Sequence, residues 1–485
     1  MLKIVKNLAV GALAMVACAV QADEFEVNAG RSRVVFDRLA GVPIQWTVCE
    51  SDCSSQAVRS AELFARGDGV FNVLSRFGPG GNFGAVVEAG EGSTRIVFQA
   101  ATETRVYRIA HDKASMQIEL LPGTSLQFAT GQNFIPGQLP GFGQLYSRVH
   151  AVTVSGDGQE SYTDPDAPAV DIEVDGGHWA GIRNRYWTWL VRPVDATLSG
   201  QISFSELDRP HLDFQPVDPA LPVVVEIYAG AVEWHELREV SPVLNEMLFA
   251  ALWDFLRWLC FGMLLLLEFL QNLVGSFGIA IILLSLSVKI LMAPLTAIAD
   301  RWQADVNRIN TLMESELTAI KRDYKGEDAH RRILGVYKKH NVSQWYTFKS
   351  AAGFLIQIPV FIAAFDMLAE NFALHQVGFL WAPDLSAPDQ LAALPFAIPF
   401  FGGWLNLLPF LMAGLSVLAA WLQNEDSLSP ELQRQQSIRL YLMSAAFFLA
   451  FYTFPAGMVL YWTSSNLFHL LKVELGSFFK REQHA

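Results

Sequence analysis

The chain has 485 residues, of which 52% are hydrophobic and 17% charged, and its formal net charge is −13. That balance argues against a nucleic-acid binder, which carries a basic stripe. The four cysteines form no CxxC or Cys/His cluster of the metal-binding kind. Apolar residues concentrate after Leu248, so a polar first half precedes a membrane-like second half.

Residues 1–22 read as an export signal. Lys3 and Lys6 form a positive start, Leu8 to Ala19 an apolar stretch, and Val20-Gln21-Ala22 a small-residue cleavage site before Asp23. An uncleaved anchor and a lipoprotein signal ending at Cys18 are the competing readings. Export of the following region holds in each case.

Residues 23–240 alternate polar and apolar positions over short runs, as in Thr94–Gln99, Thr104–Ile109 and Ser115–Leu120. Glycine- and aspartate-rich turns separate these runs. The pattern predicts an all-β sandwich domain in an oxidising compartment. There Cys49 and Cys53, four positions apart, are candidates for a disulfide. The aromatic stretches around Trp179 and Trp187-Thr188-Trp189 read as core, with a carbohydrate or peptide groove as the alternative.

Residues 241–272 mix Leu, Phe and Trp with Glu246, Asp254, Arg257 and Glu268. The expectation is an amphipathic helix lying at the membrane interface, and a further span is the alternative. The next run, Leu273 to Ala293, is long enough to cross the hydrocarbon core. It carries Lys289, a costly residue inside a bilayer, with Ser285 one turn before it. Either Lys289 snorkels to the headgroups or it faces a wet cavity. Four more apolar stretches follow, at 351–371, 404–422, 438–454 and 457–471. They predict five core transmembrane helices over 273–480 and a short tail, 481–485. Gln357, Tyr461, Thr463 and Asn466 are the polar residues placed to share a cavity with Lys289 and Ser285.

The segment 297–350 holds ten Lys and Arg residues and 372–403 holds none. The positive-inside rule puts the first in the cytosol and the second outside. Residues 297–340 read as a cytosolic helical hairpin turning at Gly326-Glu327-Asp328. Leu312, Leu317, Ile320, Ile333, Leu334 and Tyr337 lie on its faces. They either hold it together or form a docking surface for a ribosome, a translocation partner or a nascent chain. Residues 372–403, broken by Pro383, Pro388, Pro395 and Pro399, read as a re-entrant or surface-lying segment.

Three stretches resemble the YidC/Oxa1/Alb3 insertases: Lys289-Ile290-Leu291-Met292-Ala293-Pro294-Leu295-Thr296, Gly353 to Phe361, and Phe454 to Trp462 with Asn466. Their order and spacing match as well, over about 248–480. Trp179–Pro193 and Val225–Gly230 resemble the β-domain of the Gram-negative members more weakly, and the domain is shorter than theirs.

The resemblance implies an inner-membrane protein insertase and chaperone with no catalytic residues and no cofactor. It implies nascent membrane proteins as clients, the Sec translocon and the ribosome as partners, and a hydrophilic groove within the five helices. A characteristic groove arginine corresponds to Lys289, which keeps the charge and loses the bidentate fork. The stretch 343–350 also departs from the family pattern, and the tail is short. A secondary transporter using Lys289, Gln357 and Asp366, and a non-inserting assembly factor with a degenerate core, are the other functional readings.

Overall fold

The computed structural model describes the chain except residues 1–23, 56–57, 76–82, 102, 206–207, 341, 343–345, 423–429 and 483–485. The signal-peptide reading therefore lies outside the described residues. The chain forms two compact units, Met1–Gln138 with Gln144–Ala250, and Leu139–Gly143 with Ala251–Ala485.

The first unit is antiparallel β-structure. Its strands form sheets of four, five and nine members. The four-stranded sheet is a meander of the first four strands, Glu24–Ala29 to Ser60–Phe64. Strand alternation drives one face of each sheet inward: in Ser115–Leu120 every second residue is buried, and in Thr104–Ala110 likewise. Trp189, from the nine-stranded sheet, is fully buried at the junction of all three. Its ring lies 4.5 Å from Phe128 and 5.8 Å from Phe71 of the five-stranded sheet, and 5.5 Å from Phe64 of the four-stranded one. The expected two-sheet sandwich is thus replaced by three sheets sharing an aromatic centre. One large ring can contact all three where sheet twist brings them together. Cys49 and Cys53 are joined by a disulfide. A short helix, α1 (Trp234–Val240), and a 3₁₀ turn (Pro242–Met247) close the unit.

The second unit is mainly helical. Its helices are α2 (Asp254–Val274), α3 (Phe277–Asp323), α4 (Gly326–Lys339), α5 (Tyr346–Glu370), α6 (Leu408–Leu422), α7 (Pro430–Phe451) and α8 (Ala456–Glu482). Among the described residues, α2 and α3 are both long and apolar enough to cross a membrane, and α6 is apolar but shorter. The five-span bundle expected from sequence is, at this level, a helical unit with two clear membrane-crossing candidates.

The surface-lying helix expected over 241–272 is also different. Asp254 and Arg257 fall in the first turn of α2, so Glu268 is the one charged residue in the rest of the helix. One face of α2 (Leu256, Cys260, Leu267) is buried, and the other exposes Trp258, Leu265, Phe269 and Leu273. It packs on α3 and α5. It ends at Gly275, whose φ of 69° needs no Cβ penalty and whose N–H bonds the Gln271 carbonyl.

Helix α3 continues for 47 residues through Pro294, joining the predicted span to the first arm of the hairpin. Proline removes one backbone hydrogen bond, which strong helical flanks tolerate. The hairpin's α4 packs back on α3. Met313 and Val336 are buried, whereas Leu312 and Leu334 point outward. Lys339 Nζ and His340 Nε2 meet Glu316 Oε1 at 2.9 and 3.2 Å. Between α5 and α6, Ala392–Ile398 and Gly402–Leu405 form a β-hairpin.

Candidate functional site

The cavity of interest lies in the second unit, against α3, α5 and α8, and measures about 400 Å³. Helix α3 contributes Lys289, Ala293, Thr296 and Asp300, which recur at helical spacing on one face. Helix α8 contributes Tyr461, Trp462, Ser465, Asn466, His469 and Lys472 by the same periodicity, and α5 contributes Gln357, Val360 and Phe361.

Two of the lining helices carry an interior proline at cavity level, Pro294 in α3 and Pro359 in α5. Each leaves the carbonyl one turn earlier, of Ile290 and Leu355, without its helical N–H donor. Beside Pro294, the Thr296 hydroxyl donates to the carbonyls of Met292 and Ala293 at 3.1 and 3.0 Å.

The titratable Lys, His and Asp groups of the lining are mostly basic. Lys289 is half-buried and, among the described residues, has no hydrogen-bond or ion-pair partner. His469 and Lys472 add basic groups, and Asp300 is the acidic one. Lys472 Nζ stands 3.7 Å from Asp300 Oδ2, with both side chains about 70% exposed; such a pair is weak in water. Asn466 plays a double part: it lines the cavity, and its amide donates to the Met412 carbonyl and to Ser416 Oγ, tying α8 to α6.

Of the residues singled out from sequence, Lys289, Gln357, Tyr461 and Asn466 meet in this cavity. Ser285 and Thr463 do not line it. Ser285 is 1% exposed and its hydroxyl is unpaired among the described residues, so it faces packed interior. The Thr463 hydroxyl donates to the Val459 carbonyl of its own helix at 2.7 Å. Asp366 does not line the cavity either. The constellation that a transporter would need, Lys289 with Gln357 and Asp366, is therefore not assembled. Asp300, His469 and Lys472 were not picked out from sequence. Extending the helical repeat of Lys289 by three turns, and that of Asn466 by one and two, would have found them.

Residues 269–475 match the family described as 60Kd inner membrane protein. A membrane protein insertase YidC of Saccharophagus degradans is 30% identical over 352 residues, 69% of this chain and 58% of the relative. One from Chloroherpeton thalassium is 27% identical, covering 50% of this chain and 40% of the relative. One from Chlamydia trachomatis is 32% identical, covering 43% and 26%. The chain thus spans less than two thirds of the length of these relatives. A solved structure of an active YidC insertase with its first transmembrane domain resolved shares 16% identity and covers 96% of this chain and 98% of its own, with a TM-score of 0.36.

Proposed function

This chain is a homologue of the YidC/Oxa1/Alb3 membrane insertase family, and from that premise we propose that it inserts and chaperones nascent membrane proteins at the inner membrane. The observation that carries the mechanism is an unpaired, half-buried lysine facing a cavity of about 400 Å³. A charge held in a partly dry site attracts an opposite charge far more strongly than it would in bulk water. It also lowers the cost of bringing a client's polar or acidic segment among apolar helices. No bond is made or broken in this role, in keeping with the family, whose members are insertases and chaperones and not enzymes.

In this reading the cavity is the client groove. Lys289 is the attracting charge, Gln357 and Tyr461 are polar walls, and Asn466 sets the spacing of α8 against α6. Ser285 and Thr463 support the helices and do not contact the client. The charged α3–α4 hairpin lies on the cytosolic side, where the ribosome and the nascent chain are its natural partners, with the Sec translocon beside the bundle.

The test is reconstitution. Purified full-length protein in liposomes should give a protease-protected translocated segment of a small single-span client, where protein-free liposomes give none. Equal protection in both would remove the insertase role.

A further inference from the structure

The β-hairpin between α5 and α6 has a composition and a mounting that the insertase role leaves unused. No Asp, Glu, Lys, Arg or His occurs from Gln390 to Asn424. Yet the hairpin is not packed away: Phe396 is 66% exposed, and Phe400 and Trp404 are 44% and 43% exposed. Six of the seven residues of Ala392–Ile398 are exposed, so both faces of this strand are outward.

This is not a loosely held loop. The buried Asp389 carboxylate accepts hydrogen bonds from Trp381 Nε1 and from the Leu407 and Leu408 N–H groups at the start of α6. The buried Asn406 accepts from the Gln390 N–H and donates to the Tyr452 carbonyl. Two satisfied polar clasps thus hold the foot of the hairpin, while its apolar residues project beyond it. Phe400 packs edge-on against Phe142 at 5.2 Å, leaving Phe396 and Trp404 uncovered among the described residues.

Helix length decides what covers them. Helix α6 has 15 residues, about 22 Å of rise, against about 30 Å of hydrocarbon. Its own outward residues, among them Phe410, Leu411, Val417 and Trp421, are apolar. The helix alone falls short of a crossing, and the uncharged chain that extends it is the hairpin. The hairpin sits at the opposite end of α5 from the charged α3–α4 hairpin.

We propose that Ala392–Leu405 is a lipid-inserted wedge, seated at the boundary between headgroups and acyl chains in the leaflet away from the charged hairpin. It completes the apolar length of α6, and its occupant is phospholipid. Boundary depth, and not the bilayer centre, suits a two-stranded hairpin whose outer edges have unpaired N–H and C=O groups. Pro395, within the first strand, has no N–H to leave unpaired. The Trp404 ring is of the type that settles at this level. The inference rests on the multi-pass membrane reading and not on client insertion.

The test uses full-length protein carrying Cys18→Ser and Cys260→Ser, in phosphatidylcholine/phosphatidylglycerol nanodiscs without client. An environment-sensitive fluorophore is placed on Phe396→Cys or, as an aqueous control, on Glu327→Cys. For Phe396→Cys the expected result is blue-shifted emission, quenching strongest by lipids spin-labelled near the carboxyl end of the acyl chain, and at least about fivefold weaker iodide quenching than at Glu327→Cys. Iodide quenching equal to the control would overturn the proposal by placing the hairpin in water. Protection from both lipid and aqueous quenchers would overturn it by placing the hairpin against protein, such as a second copy. Phe396 is exposed, so its replacement leaves the core intact. Either negative result leaves the insertion assay to be decided on its own.

Discussion

His150 sits in the strand His150–Ser155, opposite Arg183, and its ring Nδ1 has no hydrogen-bond partner among the described residues. Burial, with the charges of Arg183 and Arg148 added to it, pushes its pKa down to about 3. The unfolded histidine takes up its proton near pH 6.5. Between those values the unfolded state binds more protons, so stability is complete above about pH 6.5 and is lost as pH falls towards 3. The first unit's unfolding free energy should therefore fall between pH 6.5 and 5, by up to about 1.4 kcal/mol per pH unit. His150→Gln should flatten that slope, and denaturant titrations at several pH values would show it.

Gly278, in the first turn of α3, is a second residue-scale constraint. A Cβ there would stand 2.0 Å from the Phe379 ring, so Gly278→Ala should cost about 1–3 kcal/mol, read as a lower thermal midpoint in detergent. At this scale the site was partly legible. Lys289, Gln357, Tyr461 and Asn466 stand out because a polar residue in an apolar run is expensive without a purpose. Lys472 and Asp300 lie beyond the apolar runs, where polar residues are ordinary, so only the helical repeat marks them; His469 lies inside the last run, two residues before its end. Ser285 is one turn from Lys289 in sequence, but its side chain turns into the packed face.

The helices of the second unit show what governs legibility at the level of elements. Periodicity gives α4 and most of α3, but Pro294 reads as a boundary when the helix runs through it. The terminal position of Asp254 and Arg257 makes α2 look amphipathic over a longer window. The β-hairpin was hidden for a different reason. With both strand faces apolar, the alternation that signals a strand is missing.

The α3–α4 hairpin yields a prediction of its own. Val336 is 6% exposed on the hairpin, while the Glu316 contacts at the rim are partly open to solvent and correspondingly weak. Val336→Asp should therefore release α4 locally, raising amide exchange in Gly326–Lys339 by about tenfold or more while leaving α2 and α5 protected. Unchanged exchange would mean that the seam does not hold the hairpin.

Across the whole molecule, the distribution of charge sets the orientation. Ten Lys and Arg residues lie in 297–350 and none in 372–403, and the proposed topology follows from the positive-inside rule, with the basic segment in the cytosol and the other outside. A single cysteine at Glu327 should resist an impermeant maleimide in intact spheroplasts, and one at Gln376 should react; the reverse pattern would invert the topology. The β-unit was legible as a class from its alternation, but the division into three sheets was not. Which sheets meet depends on long-range pairing, and the fully buried Trp189 at their junction carries no local signal of it.

In the proposed mechanism the unpaired Lys289 in the cavity helps carry acidic client segments into the membrane. The most direct test is proteoliposome insertion of paired clients, identical except for an acidic or a neutral translocated segment, by wild type and by Lys289→Arg, Lys289→Ala and Lys289→Glu. Lys289→Arg should keep wild-type yield. Lys289→Ala should insert the acidic client about tenfold less well, as expected for loss of roughly 1.4 kcal/mol of charge interaction. Lys289→Glu should be worse still, and the neutral client should change little throughout. Equal yields of the acidic client from wild type, Lys289→Ala and Lys289→Glu would contradict the account.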